Sequence, residues 1–377
     1  MKRVYFNNAA GAYPLAPGVL EASVQSMQGY PESFGRSAEG AAQSLEICRE
    51  NLARLLGIGS QNCSCIALTP GATYSLNAAI LGLGLKPGDL VVTTVMEHNS
   101  MLRPLAYLGD SKGIQVAYVP LDQELNLDKE AYKTLLSQEP RLVAMTHASN
   151  VTGRINPVSQ LFRMAKEAGA ATLLDASQTV GRIKVVPEEL HADMIAFPGY
   201  KGLRGPVGAG ALYVSPRITL QPVFTGGTGV KSDLRLMPEQ MPLRLEAGTP
   251  NIPGFAGLTA AVMHSLEHME EIFSKEKSLT EKLLDRLKTM LKVRVFDHSS
   301  HDRLPTVSFT VDGMVSEEVG FTLSESFGIC CRTGLHCAPL MHSALGVECG
   351  TIRFSLCCAN TEEEIDYGAM ALLKVVQ

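Results

Sequence analysis

The sequence predicts an α/β fold with a mostly parallel seven-stranded sheet in a large part and a smaller α+β part at the C-terminal end. Three observations predict it. Seven short apolar runs lie between about residues 60 and 215, and helical patterns separate them. Beyond about residue 250 the alternation gives way to a long, charge-rich helical stretch.

The candidate strands are 65–68, 90–95, 115–119, 142–146, 171–175, 194–197 and 211–214. Their short length and Val, Ile, Leu and Ala content suit strands buried on both faces. One intervening helix is well marked. Asn156 is placed to cap it and Pro157 to occupy its first turn; Val158, Leu161, Phe162 and Ala165 follow at helical spacing, and Gly169 ends it. After residue 250 the reading is a helix over 257–292, a strand over 306–311, a helix over 316–326, strands over 328–332 and 350–355, and a last helix over 362–376. The domain division expected is 15–255 for the large unit, with 1–14 and 256–377 forming the small one.

Composition excludes several classes. The 377 residues are 45% hydrophobic and 19% charged, with a formal net charge of −5, as in an ordinary globular enzyme. No basic run offers a nucleic-acid surface. The longest apolar runs, such as 78–85, fall far short of the roughly 20 residues that span a bilayer. Met1-Lys2-Arg3 is followed by only three apolar residues, so no secretory leader is read and a cytoplasmic location is expected. Nine cysteines without zinc spacing read as free thiols in a reducing compartment and predict no metal site. The adjacent pairs Cys330-Cys331 and Cys357-Cys358 read as core packing, and Glu362–Glu364 as favourable charge at a helix N-terminus.

In a parallel sheet, ligands gather at the carboxyl ends of the strands. There the sequence supplies each group that a pyridoxal 5′-phosphate (PLP) site needs. Asp175 closes one apolar strand and suits a pyridinium nitrogen. Lys201 follows the next, flanked by Gly199 and Gly202. Gln178 is placed for the ring phenolate oxygen and His98 for stacking on the ring. Gly71, Ala72 and Thr73 open a helix whose N-terminus suits a phosphate. Taken singly, each has a plainer explanation: a helix cap or structural ion pair for Asp175, a solvated loop lysine, a turn glutamine, a structural histidine. Their order at successive strand ends carries the reading.

These residues sit in segments that resemble the class V aminotransferase family of fold-type I PLP-dependent transferases, and within it the SufS/CsdA-like (group II) cysteine desulfurases. The segments are Tyr5-Phe6-Asn7-Asn8-Ala9-Ala10, residues 146–157, Leu174-Asp175-Ala176-Ser177-Gln178, residues 246–251, and Arg332-Thr333-Gly334-Leu335-His336-Cys337-Ala338-Pro339. The last is the most specific. The resemblance implies Lys201 as the lysine carrying the cofactor and Cys337 as the nucleophile. It implies Asp175, Gln178, His98 and Thr73 around the cofactor, where Tyr200 stands in place of the family's histidine and still offers a hydroxyl, and Thr249 reaching the phosphate from the second subunit of a homodimer. Asn150, Arg353 and Arg332 resemble the groups that hold the substrate.

The chain departs from the pattern at Pro198, where relatives carry a serine, at Tyr200, at Ala72 in place of threonine, and at Leu335 in place of histidine. These departures mark a divergent, short branch. The activity implied is removal of sulfur from L-cysteine to give L-alanine, with a persulfide on Cys337 and passage to an acceptor protein, as in iron–sulfur cluster assembly. A free thiol is only about 3% ionised at pH 7, so help from His336 or Arg332 is expected. Alternatives are a selenocysteine lyase, a class V aminotransferase or lyase with an incidental cysteine, and a catalytically idle scaffold that binds a sulfur-transfer partner.

Overall fold

The computed structural model describes residues 3–29, 39–297 and 303–376. Met1 and Lys2, read above for a leader, lie outside them. The elements run β1 (Val4–Tyr5), α1 (Val19–Gln28), α2 (Glu39–Leu55), β2 (Ile66–Thr69), α3 (Ala72–Gly82), β3 (Leu90–Thr94), α4 (Asn99–Lys112), β4 (Gln115–Val119), α5 (Lys129–Leu136), β5 (Leu142–Thr146), α6 (Val158–Glu167), β6 (Ala171–Asp175), β7 (Met194–Pro198) and β8 (Gly210–Val214). Then follow α7 (Ile252–Lys288), β9 (Val293–Phe296), β10 (Thr306–Val311), α8 (Ser316–Phe327), β11 (Ile329–Cys330), β12 (Arg332–Gly334), α9 (Pro339–Ala344), β13 (Thr351–Ser355) and α10 (Glu362–Val376).

The seven-stranded sheet has the order β2-β8-β7-β6-β5-β3-β4. It is parallel except for β8, which runs antiparallel to both β2 and β7. Every residue of β2, β3, β5, β6, β7 and β8 is buried; β4, at the edge, is half exposed. Continuous apolar runs are what burial on both faces requires. The parallel core aligns the ends of β5, β6 and β7, with Thr146 opposite Asp175 and Asp175 opposite Ala196.

A four-stranded sheet, β12-β13-β10-β9, forms the C-terminal part, and β1 pairs with β11 alongside it. Two hydrophobic cores meet on α7. Ile252, Phe255, Leu258 and Val262 pack in the core under the large sheet. Leu279, Leu283 and Leu287 pack with Val4, Phe6, Phe309 and Phe354 in the second.

Several expectations are corrected. The helix expected over 257–292 is α7, starting at Ile252, where Asn251 Oδ1 accepts from the Gly254 N–H at 3.1 Å; it ends at Lys288 because the chain turns into β9. The strand expected over 328–332 is two short strands with different partners. Asn156 does not cap α6: its Nδ2 donates to Thr146 O at 2.8 Å, clasping the loop onto β5. Cys330 is exposed rather than packed, although Cys357 is buried. The described cysteines are free thiols, no described group of side chains makes a metal cluster, and no described helix is long and apolar enough to cross a membrane.

Candidate active site

A cavity of about 430 Å³ opens at the carboxyl ends of β5, β6 and β7. It is lined by most of the residues singled out in the sequence: Gly71, Ala72, Thr73, His98, Asn150, Asp175, Gln178, Tyr200, Lys201, Arg332 and Arg353. Two others lie apart from it. Cys337 lines an adjoining groove, which shares Thr73, His98 and Ser100 with the cavity. Thr249 is exposed on the segment before α7 and does not line the cavity of its own chain.

Asp175 ends β6 buried, and its Oδ1 accepts the Ser177 N–H at 2.9 Å. Lys201 lies beyond β7, and its amine makes no hydrogen bond or ion pair with a described residue. Burial pushes its amine down to about 8, against the opposing pull of Asp175, while the charges of Arg353, Arg182 and Arg332 add to the depression. Its turn leaves no room for side chains: a Cβ on Gly202 would sit 2.3 Å from Val180 O. Tyr200, half-buried beside it, has its hydroxyl pushed up by burial and by Asp175.

Gly71 precedes α3 at φ +147°, a conformation that side chains resist, and a Cβ there would meet nothing within 4 Å. Gly71 at the N-cap has no side chain to cap the first-turn N–H groups of α3, and no side chain among the described residues does so. Thr73 Oγ1 lies 2.7 Å from Ser100 Oγ. His98 caps α4, its Nδ1 accepting from the Ser100 N–H at 3.1 Å, which leaves the proton of the neutral ring on Nε2. Burial, then the charge of Lys201, lowers His98 to about 4, so the ring is neutral at physiological pH. Gln178 Nε2 donates to Ala9 O at 3.1 Å, bringing the N-terminal segment onto the cavity.

Two arginines face the cavity side by side, because Arg332 on β12 is opposite Arg353 on β13. Arg353 is fully buried. It donates through Nη1 to Asn150 O at 2.9 Å and through Nη2 to Asn7 Oδ1 at 3.2 Å, while its Nε has no partner among the described residues. Burial, then Arg332's charge, lowers it to about 9. Neither arginine pairs with a carboxylate among the described residues, so with Lys201 the cavity is cationic and suited to anions. Arg332 Nη2 also donates to Cys337 Sγ at 3.2 Å.

Of the two groups expected to help Cys337, His336 or Arg332, His336 has its imidazole turned away from the sulfur. Burial drives its ring far below the ordinary histidine range, and its Nε2 points to Thr351 Oγ1 at 2.9 Å. The cation at the sulfur is Arg332. Sequence reasoning also missed Ser100, which links Thr73 to His98, and Glu97, buried behind His98 with Oε1 accepting from Thr94 Oγ1 at 2.6 Å and from the Thr146 N–H at 3.0 Å. The position of Ser100 two residues after a strand-end histidine was the available signal. Glu97 gave none, since a carboxylate beside a loop histidine reads as exposed.

Residues 4–367 match the family described as Aminotransferase class-V. The cysteine desulfurase of Haloferax volcanii is 33% identical over 377 residues, covering 96% of this chain and 87% of that protein. That of Serratia proteamaculans is 32% identical over 339 residues, covering 88% and 82%. Among solved structures, an apo cysteine desulfurase from Thermococcus onnurineus NA1 is similar with a TM-score of 0.91 at 32% identity, covering 99% of this chain and 94% of that one. The cysteine desulfurase CsdA (S-sulfonic acid) from Escherichia coli is similar with a TM-score of 0.89 at 28% identity, covering 100% and 96%. Matched over nearly its whole length and sharing the fold throughout, the chain belongs to the class-V aminotransferase family.

Proposed function

We propose that this protein is a PLP-dependent cysteine desulfurase that converts L-cysteine to L-alanine and leaves the sulfur on Cys337. The observation that carries the reading is a sulfur in a groove that shares its wall with a cationic cavity holding Lys201 and Asp175 on neighbouring strand ends.

The residues fit the cofactor. The uncapped N-terminus of α3, opened by Gly71, suits the phosphate. Asp175 would hold a pyridinium nitrogen, Gln178 and Tyr200 would serve the ring's polar edge, and the neutral His98 would stack on the ring. Lys201, unpaired and with its amine lowered to about 8, is ready for attachment. Bound PLP supplies the electron sink that labilises bonds around the substrate Cα and Cβ. Arg353 and Asn150, with Arg332, hold the substrate carboxylate. The freed Lys201 amine takes the α-proton; desolvation keeps part of it uncharged near neutral pH. The Cys337 thiolate attacks the substrate sulfur, so a sulfur–sulfur bond forms as the carbon–sulfur bond breaks. The three-carbon residue takes up protons and leaves as alanine.

The protein works as a homodimer in which Thr249 serves the neighbouring subunit's phosphate, and the persulfide passes to an acceptor protein. The two hydrophobic cores support a division into a large unit and a small one that includes the N-terminal strand. The units proposed are 15–255 and 1–14 with 256–377; in support, α7 gives Val262 and residues before it to one core and Leu279 and residues after it to the other.

The test is incubation of PLP-loaded protein with L-cysteine and a reductant, scoring alanine and sulfide. Wild type should form both, and Cys337→Ala should lose them by roughly a hundredfold or more while keeping the cofactor's visible absorbance. Alanine formation undiminished in Cys337→Ala, or none in coloured wild type, rejects the reading.

A further inference from the structure

The Cys337 loop is held in an unusual shape. His336 and Cys337 are consecutive non-glycine residues in the left-handed region, at φ +49° and +58°. Such backbone persists only where the surroundings over-determine it. Two anchors hold the loop's own carbonyls: Asn150 Nδ2, at the cavity, donates to His336 O at 2.8 Å, and the Asn99 N–H, in the adjoining groove, donates to Cys337 O at 2.7 Å. The third is a chain of buried side chains beneath the loop.

Its polarity can be read link by link. A backbone carbonyl only accepts, so His342 Nδ1, 2.9 Å from Ala338 O, carries the proton. Burial keeps this ring neutral, so its Nε2 is an acceptor. Thr351 Oγ1 at 3.2 Å therefore donates to it. The same oxygen then accepts from His336 Nε2 at 2.9 Å. His336 Nδ1 is left bare, buried and without a partner among the described residues. One hydroxyl thus locks two imidazoles, one on α9 and one in the loop, from the strand that also carries Arg353.

We infer that Thr351 and His342 are positioning residues for Cys337: through His336 they hold the loop so that the sulfur lies against Arg332, in the groove beside the cavity. Neither touches the cavity itself. The inference rests on the proposed sulfur transfer for its meaning, but its physical content, a loop locked by one hydroxyl, is measurable without turnover.

The decisive comparison is Thr351→Val, which keeps the shape and removes the hydroxyl, against Thr351→Ser, which keeps the hydroxyl. Two quantities are read in each: the rate at which iodoacetamide alkylates Cys337 in the resting holoenzyme, by peptide mapping, and kcat and KM for alanine formation. Thr351→Val should raise the alkylation rate several-fold and lower kcat by roughly tenfold, with KM within about twofold. Thr351→Ser should restore both. Should Thr351→Val fail to fold, His342→Leu, which deletes the other half of the link, should give the same pair of changes. Wild-type alkylation and kcat in the unlinked variant, or a Ser variant as impaired as Val, overturns the inference. If wild type made no alanine, the function proposed above would fall, while the alkylation comparison would still decide the clamp.

Discussion

Glu97 shows how a buried group sets a pH dependence that no sequence pattern announces. It is completely buried, one oxygen is held by Thr94 and Thr146, and the other has no partner among the described residues. Burial, with the nearby charge of Asp175 adding to it, pushes its carboxyl up to about 8. A carboxyl whose folded value lies above its unfolded one stabilises the fold fully at acid pH. That stabilisation fades as pH rises from about 4.5, where the unfolded chain ionises, through about 8. Glu97→Gln mimics the protonated form and does not titrate. The variant should match wild type near pH 5 and exceed it near pH 8 by on the order of 4 kcal/mol. Urea melts of both proteins at the two pH values check this, and an identical difference at both would show that Glu97 ionises normally. At this scale the strand-end residues were legible because position announces them: Asp175 and Lys201 stand where an apolar run stops. Glu97 and Thr351 were not, since their importance lies in what buries them. The choice between His336 and Arg332 beside Cys337 was not legible for the same reason, since it depends on how the loop packs.

The turn that joins β7 to Lys201 carries its own constraint. Gly199 and Gly202 both sit where a Cβ would collide, with Leu258 Cδ1 at 2.8 Å and Val180 O at 2.3 Å respectively. Gly199 would also meet Ala209 O at 2.9 Å, but the contact at Gly202 is the harder one, being much the shorter and against a backbone carbonyl that cannot rotate away. Gly202→Ala should therefore destabilise by about 2 kcal/mol and displace the lysine turn. The expected outcome is a folded protein with a lowered melting temperature and weakened PLP retention on dialysis; unchanged retention would mean that the turn absorbs the methyl. Elements were legible in proportion to how locally they are determined. Buried strands such as β5 and β6 fall at the residues expected, since continuous apolar runs leave few alternatives. The short β1, β9 and α9 and the mixed helices α1 and α2 escaped notice. Two residues of strand have no period to detect, and β1 exists only because β11, more than 300 residues later, pairs with it.

At the scale of the whole molecule, the segment from β8 to α7 is the feature that a single chain leaves unexplained. Residues 215–251 contain only the three-residue 3-10 turn Leu243–Leu245 as regular structure, and connections this long are normally functional. The segment exposes Phe224 and Leu236, the latter 80% accessible, and it carries Thr249 away from its own cavity. Val207, on the cavity wall, is 78% accessible. Apolar side chains at a cavity mouth and on a long loop are what a second copy of the chain would cover. The proposed homodimer then predicts that each site is built from two chains, and complementation tests this directly. On that proposal, Lys201→Ala and Thr249→Asp should each inactivate a homodimer, the first by removing the amine, the second by placing a carboxylate where Thr249 would meet the phosphate. Coexpressed, they should form hybrids in which one site collects both defects and the other none, so alanine formation should reappear. If Thr249 instead serves its own subunit, every hybrid site carries one defect and the mixture stays inactive.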